Sequence, residues 1–212
     1  IISIMSILGV ALGVGALVVV LGVYNGLTTD MRDKIIGANA HGIVMSYVPA
    51  AFQQHPDLVR RVEAVEHVRG ATPFIYTEVM LSAAGGVKGL VLRGIDPESA
   101  PRVLSMLREI RRGSVAGLKR EGTPGIVIGE ELAKRLGIGL GSRVNLLSPS
   151  GEKGATGYSP RIRPFEVVGI FKTGMFEYDA TLAFVDLKAA RDILGLPDGF
   201  LTGIEIMVDD VY

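Results

Sequence analysis

The sequence contains no cysteine, and it carries no charge before Asp30. Without thiols there are no disulfide staples, no thiolate catalysis and no Cys-based zinc sites. The same absence suits a cytoplasmic domain and a bacterial periplasmic one equally, so the compartment stays open. Net charge is lacking too: 22 basic and 22 acidic residues cancel, and only short Arg-Arg pairs stand out. A nucleic-acid binder would present a clustered basic face, so that class is set aside. There is no Gly-x4-Gly-Lys-Ser/Thr loop for ATP and no Gly-x-Ser-x-Gly elbow for a hydrolase triad. His41, His55 and His67 fall in three separate elements without metal-ligand spacing, and each reads as a structural histidine. Glu130 and Glu131 open a helix, where carboxylates complement the dipole. No catalytic constellation or metal site results, and no cofactor is expected in this chain.

What the sequence does have is a long uncharged run. Crossing a hydrocarbon layer of roughly 30 Å takes on the order of 20 apolar residues at about 1.5 Å each. Ile1 to Val23 supplies them, interrupted only by Ser and Gly, which membrane helices tolerate. A signal peptide would show a basic flank, a shorter apolar core and a small-residue cleavage site; none is visible. The expectation is a transmembrane helix over residues 1–24. Gly9 and Gly13 form a Gly-x3-Gly pair, and Gly15 and Gly22 add small positions where another helix or a lipid chain could approach the backbone. Glycine is also abundant in membrane helices generally. Asp30, Arg32, Asp33 and Lys34 sum to zero, which favours the non-cytoplasmic side for this flank. Leu27, Met31 and Ile35 continue a helical face, predicting a stalk over 25–40 that stops at Gly37.

About 180 residues follow, enough for one domain or two small ones. HGIVMSY reads as a strand, and PDLVRRVEAVEHV as a helix with Pro56 in its first turn and Leu58, Val62 and Val65 on one face. PFIYTEVMLSA and VKGLVLRGID read as a hairpin joined at Gly85-Gly86. DPESAPRVLSMLREIRRG predicts a helix closed by Gly113, and GIVIGEELAKRLGI a strand running into a helix. SRVNLLS is a strand, PFEVVGIFKTG and ATLAFVD a second extended pair, LKAARDILGL a helix and TGIEIMVDD a last strand. The chain starts at Ile and stops on a strand, which reads as a piece cut at both ends. GIGLGS (Gly137, Gly139, Gly141) imitates a phosphate-binding fingerprint, but it follows a helix and precedes a strand. That order makes it a helix cap and a tight turn. SPSGEKGATGYSPRIRP, Ser148 to Pro164, reads as a long loop between strands. Its Tyr158 and Ile162 alternate with Lys153, Arg161 and Arg163, a surface suited to gripping a protein.

The ordered set LGVALGVGALVVVLGVYNGL, LRGIDP, IVIGEELAKRLGIGLGSRVNLLSP, RPFEVVGIFKTGMFEYD and LTGIEIMV resembles the permease subunits of bacterial lipoprotein-releasing ABC transporters of the LolC/LolE type, within the wider MacB-like superfamily. The resemblance spans essentially the whole chain. It implies an α/β (α+β) fold: membrane helix one with its stalk, then a periplasmic domain inserted between the first and second of four membrane helices. That domain would hold a Porter-like subdomain (41–95 and 200–212) and a Sabre-like one (96–199). A hook-like loop at 148–163 would capture a LolA-like lipoprotein carrier. Arg143 and Arg163 match a basic pad at its base, and Pro149, Tyr158, Pro160, Arg161 and Ile162 lie in or beside the hook. The implied partners are a LolD-like cytoplasmic ATPase holding ATP and Mg, a second permease subunit in a homo- or heterodimer, the carrier and acylated lipoproteins at the bacterial inner membrane. A MacB-like efflux or mechanotransmission permease has the same architecture with a different cargo, and a membrane-tethered binding module is a third class.

Overall fold

The structure, a computed structural model, describes residues 2–46, 57–154 and 157–209, with side chains described outside 33–38 and 150–158. His55 and Pro56 lie outside the described residues, as do the side chains of Ile35, Lys153 and Tyr158. Two compact units result, residues 1–37 and 38–212.

The first unit is α1 (Ile2–Ala38), one helix without a break. Residues 2–32 reach a mean hydropathy of 2.7 in their most apolar window and bury none of it within the chain. A helix that is apolar all round needs an apolar surrounding, so α1 is long and apolar enough to cross a membrane. An added Cβ at Gly9, Gly13, Gly15 or Gly22 meets nothing within 4 Å.

The second unit is built on β1 (Gly42–Met45), α2 (Leu58–Glu63), β2 (Val68–Ala83), β3 (Gly86–Ile95), α3 (Ala100–Val103), β4 (Ile110–Gly113), β5 (Gly125–Gly129), α4 (Glu130–Leu136), β6 (Arg143–Gly154), β7 (Gly157–Phe171), α5 (Phe176–Thr181), β8 (Leu182–Asp186), α6 (Leu187–Leu194) and β9 (Gly203–Val208). The pairing runs β2–β3–β8–β5–β7–β6 and returns to β2, a closed ring of six strands. Side chains alternate across a strand, and the alternation stays in phase around the ring. Val79, Leu81, Leu90, Leu92, Ala183, Val185, Ile126, Ile128, Phe165, Val167, Val144 and Leu146 share one buried cluster, joined by Leu132 and Leu136 of α4 and Ile193 of α6. Closure removes the open edges that would otherwise need protection.

The outward face of β8, β5 and β7 is buried as well. Val127, Phe171, Leu182 and Phe184 are covered by Leu104, Met106, Leu107, Val115 and Leu118, with Phe171 and Phe184 edge to face at 5.5 Å. This cover explains the first departure from expectation. The helix foreseen after Asp96 is reduced to α3, a 3-10 turn at Ser105–Arg108 and the strand β4. Burying Leu104, Met106 and Leu107 together requires a break at Leu104, whose backbone is extended (φ −104°, ψ 102°). Gly113 turns at φ +82°, and a Cβ there would lie 2.1 Å from the Val168 carbonyl oxygen.

Other departures are local. α2 ends at Glu63, so Val65 is exposed while Leu58, Val59 and Val62 pack on β9 and β2. The β2–β3 turn consists of Ala84 and Gly85, with Gly86 already paired to Ala83. β7 and β8 are not neighbours, because β5 lies between them, and α5 separates them in sequence. The foreseen loop 148–164 is paired strand: β6 and β7 continue to Gly154↔Gly157, with a register irregularity between Ser148 and Glu152. Pro149 and Pro160 sit at that irregularity, where their missing N–H groups cost no ladder bond. β3 pairs with β8 across the expected Porter/Sabre boundary after residue 95, and both strands belong to the ring.

Candidate functional site

β6 pairs with β2 over Asn145–Leu147; from Ser148 onward, among the described residues, it pairs with β7. The two strands therefore leave the ring as a two-stranded arm; residues 155 and 156 lie outside the described residues. The arm carries the residues singled out above, and its register decides which of them meet.

Arg143 is opposite Glu166, while Arg163 is opposite Leu146. Residues 163 and 166 are an odd number of positions apart, so the two arginines point to opposite faces of the ribbon. No joint pad of Arg143 and Arg163 forms at the arm's base. Arg143 shares its face with Leu147, Ile162 and Pro164; Arg161 and Arg163 share the other. The Arg161 guanidinium lies against Gly195, the left-handed cap of α6: a Cβ there would be 2.6 Å from its central carbon. A cation at a helix C-terminus faces the negative end of the dipole, so Arg161 braces the arm on α6. Arg163 is exposed and lines a groove of about 830 Å³ with Arg120, Asp186, Lys188 and Asp192, a surface of mixed charge.

Beyond Arg143, the opposite face is apolar. Gly89, Met80, Leu147 and Ile162 form one row across β3, β2, β6 and β7. Met80 and Ile162 are 51% and 52% exposed, and the row borders a groove of about 730 Å³ lined also by Val91, Pro149 and Pro160. The arm thus presents an apolar face and a basic one.

Three polar groupings, two buried and one partly buried, escaped the sequence reading. Arg93 on β3 and Glu205 on β9 form an ion pair across β2, with side chains 9% and 5% exposed. Burial pushes the Glu205 carboxyl up, against the opposing pull of Arg93. Asp179 accepts from the Thr173 backbone N–H at 2.8 Å, the Thr173 hydroxyl at 2.9 Å and the Gly174 N–H at 3.2 Å, which fixes the turn into α5. Asp96 accepts from the Ser99 hydroxyl at 2.8 Å and faces Lys119 at 3.3 Å; Ser99 in turn meets buried Thr72 at 2.8 Å. The signals were present: Arg93 and Glu205 each interrupt an apolar strand, LVLRGI and GIEIMV.

Burial pushes the Asp96 carboxyl up, but Ser99 and Lys119 together outweigh it and hold it below the ordinary aspartate value. A depressed native pKa means stability that is present above the unfolded value and lost as pH falls through the native one. Asp96→Asn is expected to lower the thermal midpoint at pH 7 and to narrow the gap between wild type and variant below about pH 4. Thermal melts of both proteins across that range check it; a gap independent of pH would contradict the role.

His41 sets its Nδ1 3.2 Å from the Val208 carbonyl oxygen, and His67 lies beside Glu66 and Asp209. Among the described residues no group of three or more His, Asp or Glu could hold a metal ion. Gly137 caps α4 at φ +64°, and the Gly139 N–H donates to the Ser142 hydroxyl at 3.0 Å. The glycine cluster is a turn between α4 and β6, without the strand-to-helix order of a phosphate cradle.

The family model of the MacB-like periplasmic core domain matches residues 3–211. The chain belongs to this family. The LolC lipoprotein-releasing system transmembrane protein of Neisseria meningitidis serogroup B is 32% identical over 99% of this chain and 50% of its own length. The LolE counterpart of Haemophilus influenzae is 24% identical over 98% of this chain and 50% of its own. The chain thus spans about half the length of these curated relatives. Among solved structures, the extracellular domain of the ABC-type transporter YknZ from Gram-positive bacteria has a TM-score of 0.50 at 15% identity, covering 79% of this chain and 81% of that one. That likeness shows a shared fold of mixed helix and strand. Within it, the β6–β7 arm and its two unlike faces are the candidate docking surface.

Proposed function

We propose that the chain is the first membrane helix and the periplasmic domain of a permease subunit in an ABC transporter that releases acylated lipoproteins from the bacterial inner membrane. The observation that carries the reading is the β6–β7 arm, which would serve as the hook, in a chain similar to LolC over 99% of its own length. The arm would dock a LolA-like carrier. A separate LolD-like subunit would bind ATP and Mg, and a second permease subunit would complete the membrane path. Movement of α1 driven by nucleotide would shift the domain and push the acylated cargo toward the docked carrier. The division into Porter-like and Sabre-like parts belongs to the same reading.

The test is isolation of the full-length protein from its native membrane. The reading expects an ABC ATPase and acylated lipoprotein to copurify, with lipoprotein leaving proteoliposomes only when ATP and carrier are both present. Copurification of the ATPase with release of a non-lipoprotein cargo would favour the MacB-like efflux alternative, and no ATPase at all would leave a tethered binding module.

Two variant sets refine it. Gly9→Leu and Gly13→Leu have open space in the chain itself, so they should leave the domain folded and reduce release by about tenfold through lost close packing with a neighbouring helix. Undiminished release would remove that role. Because Arg143 and Arg163 face opposite sides, Arg163→Glu should weaken carrier binding about tenfold in a salt-dependent manner, with Arg143→Glu close to wild type. Equal losses would mean that the carrier contacts both faces.

A further inference from the structure

Residues 39–41 lead into β1, and β9 is the last strand among the described residues. These two strands pair with each other from Gly42↔Ile206 to Met45↔Gly203. His41 closes the end of the pair, its N–H donating to the Ile206 carbonyl at 2.9 Å and its ring meeting Val208. Arg69 and Asp209 form an ion pair just beyond. β1 and β9 are thus one ribbon, attached to the ring through the β9–β2 ladder and a small apolar cluster around Ala71 and Ile204.

Glu205 extends this attachment past β2 to Arg93 on β3. The Arg93 guanidinium in turn lies 6.0 Å from the Phe74 ring centre and 5.9 Å from that of Phe184, on β2 and β8. One buried pair therefore joins four strands. Arg93 Nε and Glu205 Oε2 have no hydrogen-bond partner among the described residues. An ion pair so desolvated and incompletely bonded contributes less stability than apolar side chains of the same volume. What it does supply is direction, since the guanidinium and the carboxylate meet in only one register of β9.

We infer that the Arg93–Glu205 pair is a pin that passes displacement of the β1–β9 ribbon to the six-stranded ring, a positioning element rather than a stabiliser. The inference rests on the permease reading, in which α1 precedes β1 and further membrane helices follow β9.

The test uses the full-length protein in its assembled transporter. Arg93→Met with Glu205→Leu keeps volume and apolar packing, so the domain should stay folded with its thermal midpoint unchanged or raised. Amide exchange in 42–45 and 203–208 should rise at least tenfold, and release per ATP hydrolysed should fall at least tenfold at unchanged assembly. A folded double variant with wild-type exchange, or with raised exchange and wild-type release, overturns the pin. Exchange of the unaltered protein gives a second check that needs no variant. β9 should exchange within about tenfold of β3, as parts of one cooperative unit, and β9 exchanging a hundredfold faster overturns the proposal. If the unaltered protein releases no lipoprotein, the permease reading fails while both exchange measurements still judge the pin.

Discussion

Removal of residues 149–160, with a two-residue Asn-Gly turn joining Ser148 to Arg161, is expected to abolish carrier capture while leaving the rest of the domain intact. Ser148 and Arg161 are already directly opposite each other, so a short turn can close the hairpin there. The ring loses nothing from its core: β6 contributes Val144 and Leu146 and β7 contributes Phe165, Val167 and Ile170, all outside the deleted stretch. The thermal midpoint should therefore stay within about 2 °C of wild type. Affinity for a LolA-like carrier should fall at least about 100-fold, because protruding contacts of this kind concentrate the binding energy. Titration of the full-length protein and the deletion variant with the organism's own carrier gives the comparison. Unchanged affinity in a folded variant would move the docking surface off the arm, leaving the apolar row at Met80 and Leu147 as the next surface to mutate.

The second large effect concerns stability. Glu205→Leu leaves the Arg93 guanidinium buried between Phe74 and Phe184 without its counter-ion. Losing one partner of a buried pair costs about 3–5 kcal/mol, which for a domain of this size lowers the thermal midpoint by roughly 10 °C. Adding Arg93→Met should recover that loss in full or more, so the double-mutant cycle gives a strong coupling. The pH dependence follows from the raised native pKa of Glu205. A raised value means that the fold gains relative to the unfolded chain as the carboxyl is protonated, and that this gain is lost as pH rises through the native value. The wild type minus double-variant stability difference should therefore shift in favour of the wild type on going from pH 7 to about pH 4. Denaturant melts at both pH values measure it. A Glu205→Leu protein as stable as wild type at pH 7 would mean that Arg93 finds water or another acceptor.

Local signals served well where structure depends on neighbours in sequence. GIVIGEELAKRLGI became β5 and α4 as expected, because a β-branched run followed by two glutamates and a Gly cap carries its own start and stop. LKAARDILGL became α6 for the same reason, with Asp186 accepting from the Lys188 N–H and Gly195 at φ +66° closing it. The segment after Asp96 failed because its apolar residues answer to the faces of β5, β7 and β8 rather than to one another. The arm failed as a loop because glycine and proline content, read locally, says nothing about a partner strand. Proline at a register irregularity is compatible with pairing, and it takes both strands to show that it is there.

The candidate site was legible in position and illegible in geometry. Ser148 to Pro164 was recognisable as the protruding segment, and Ile162 and Arg163 are exposed on it. That Arg161 braces α6, and that Arg143 and Arg163 face apart, depends on the β6–β7 register, and a slip of one position would reverse every side chain.

From sequence alone came the membrane-length helix, since a run of uncharged residues that long has no way to satisfy both its apolar surface and its backbone except as a helix in an apolar phase. The family and the strand-rich second unit were equally readable. The ring closure, the joining of β1 to β9, the two faces of the arm and the burial of Arg93 against Glu205 were decided only by the tertiary structure. Each depends on pairing between residues far apart in the chain, where the choice of register is made by the summed burial of all six strands and not by any segment in isolation.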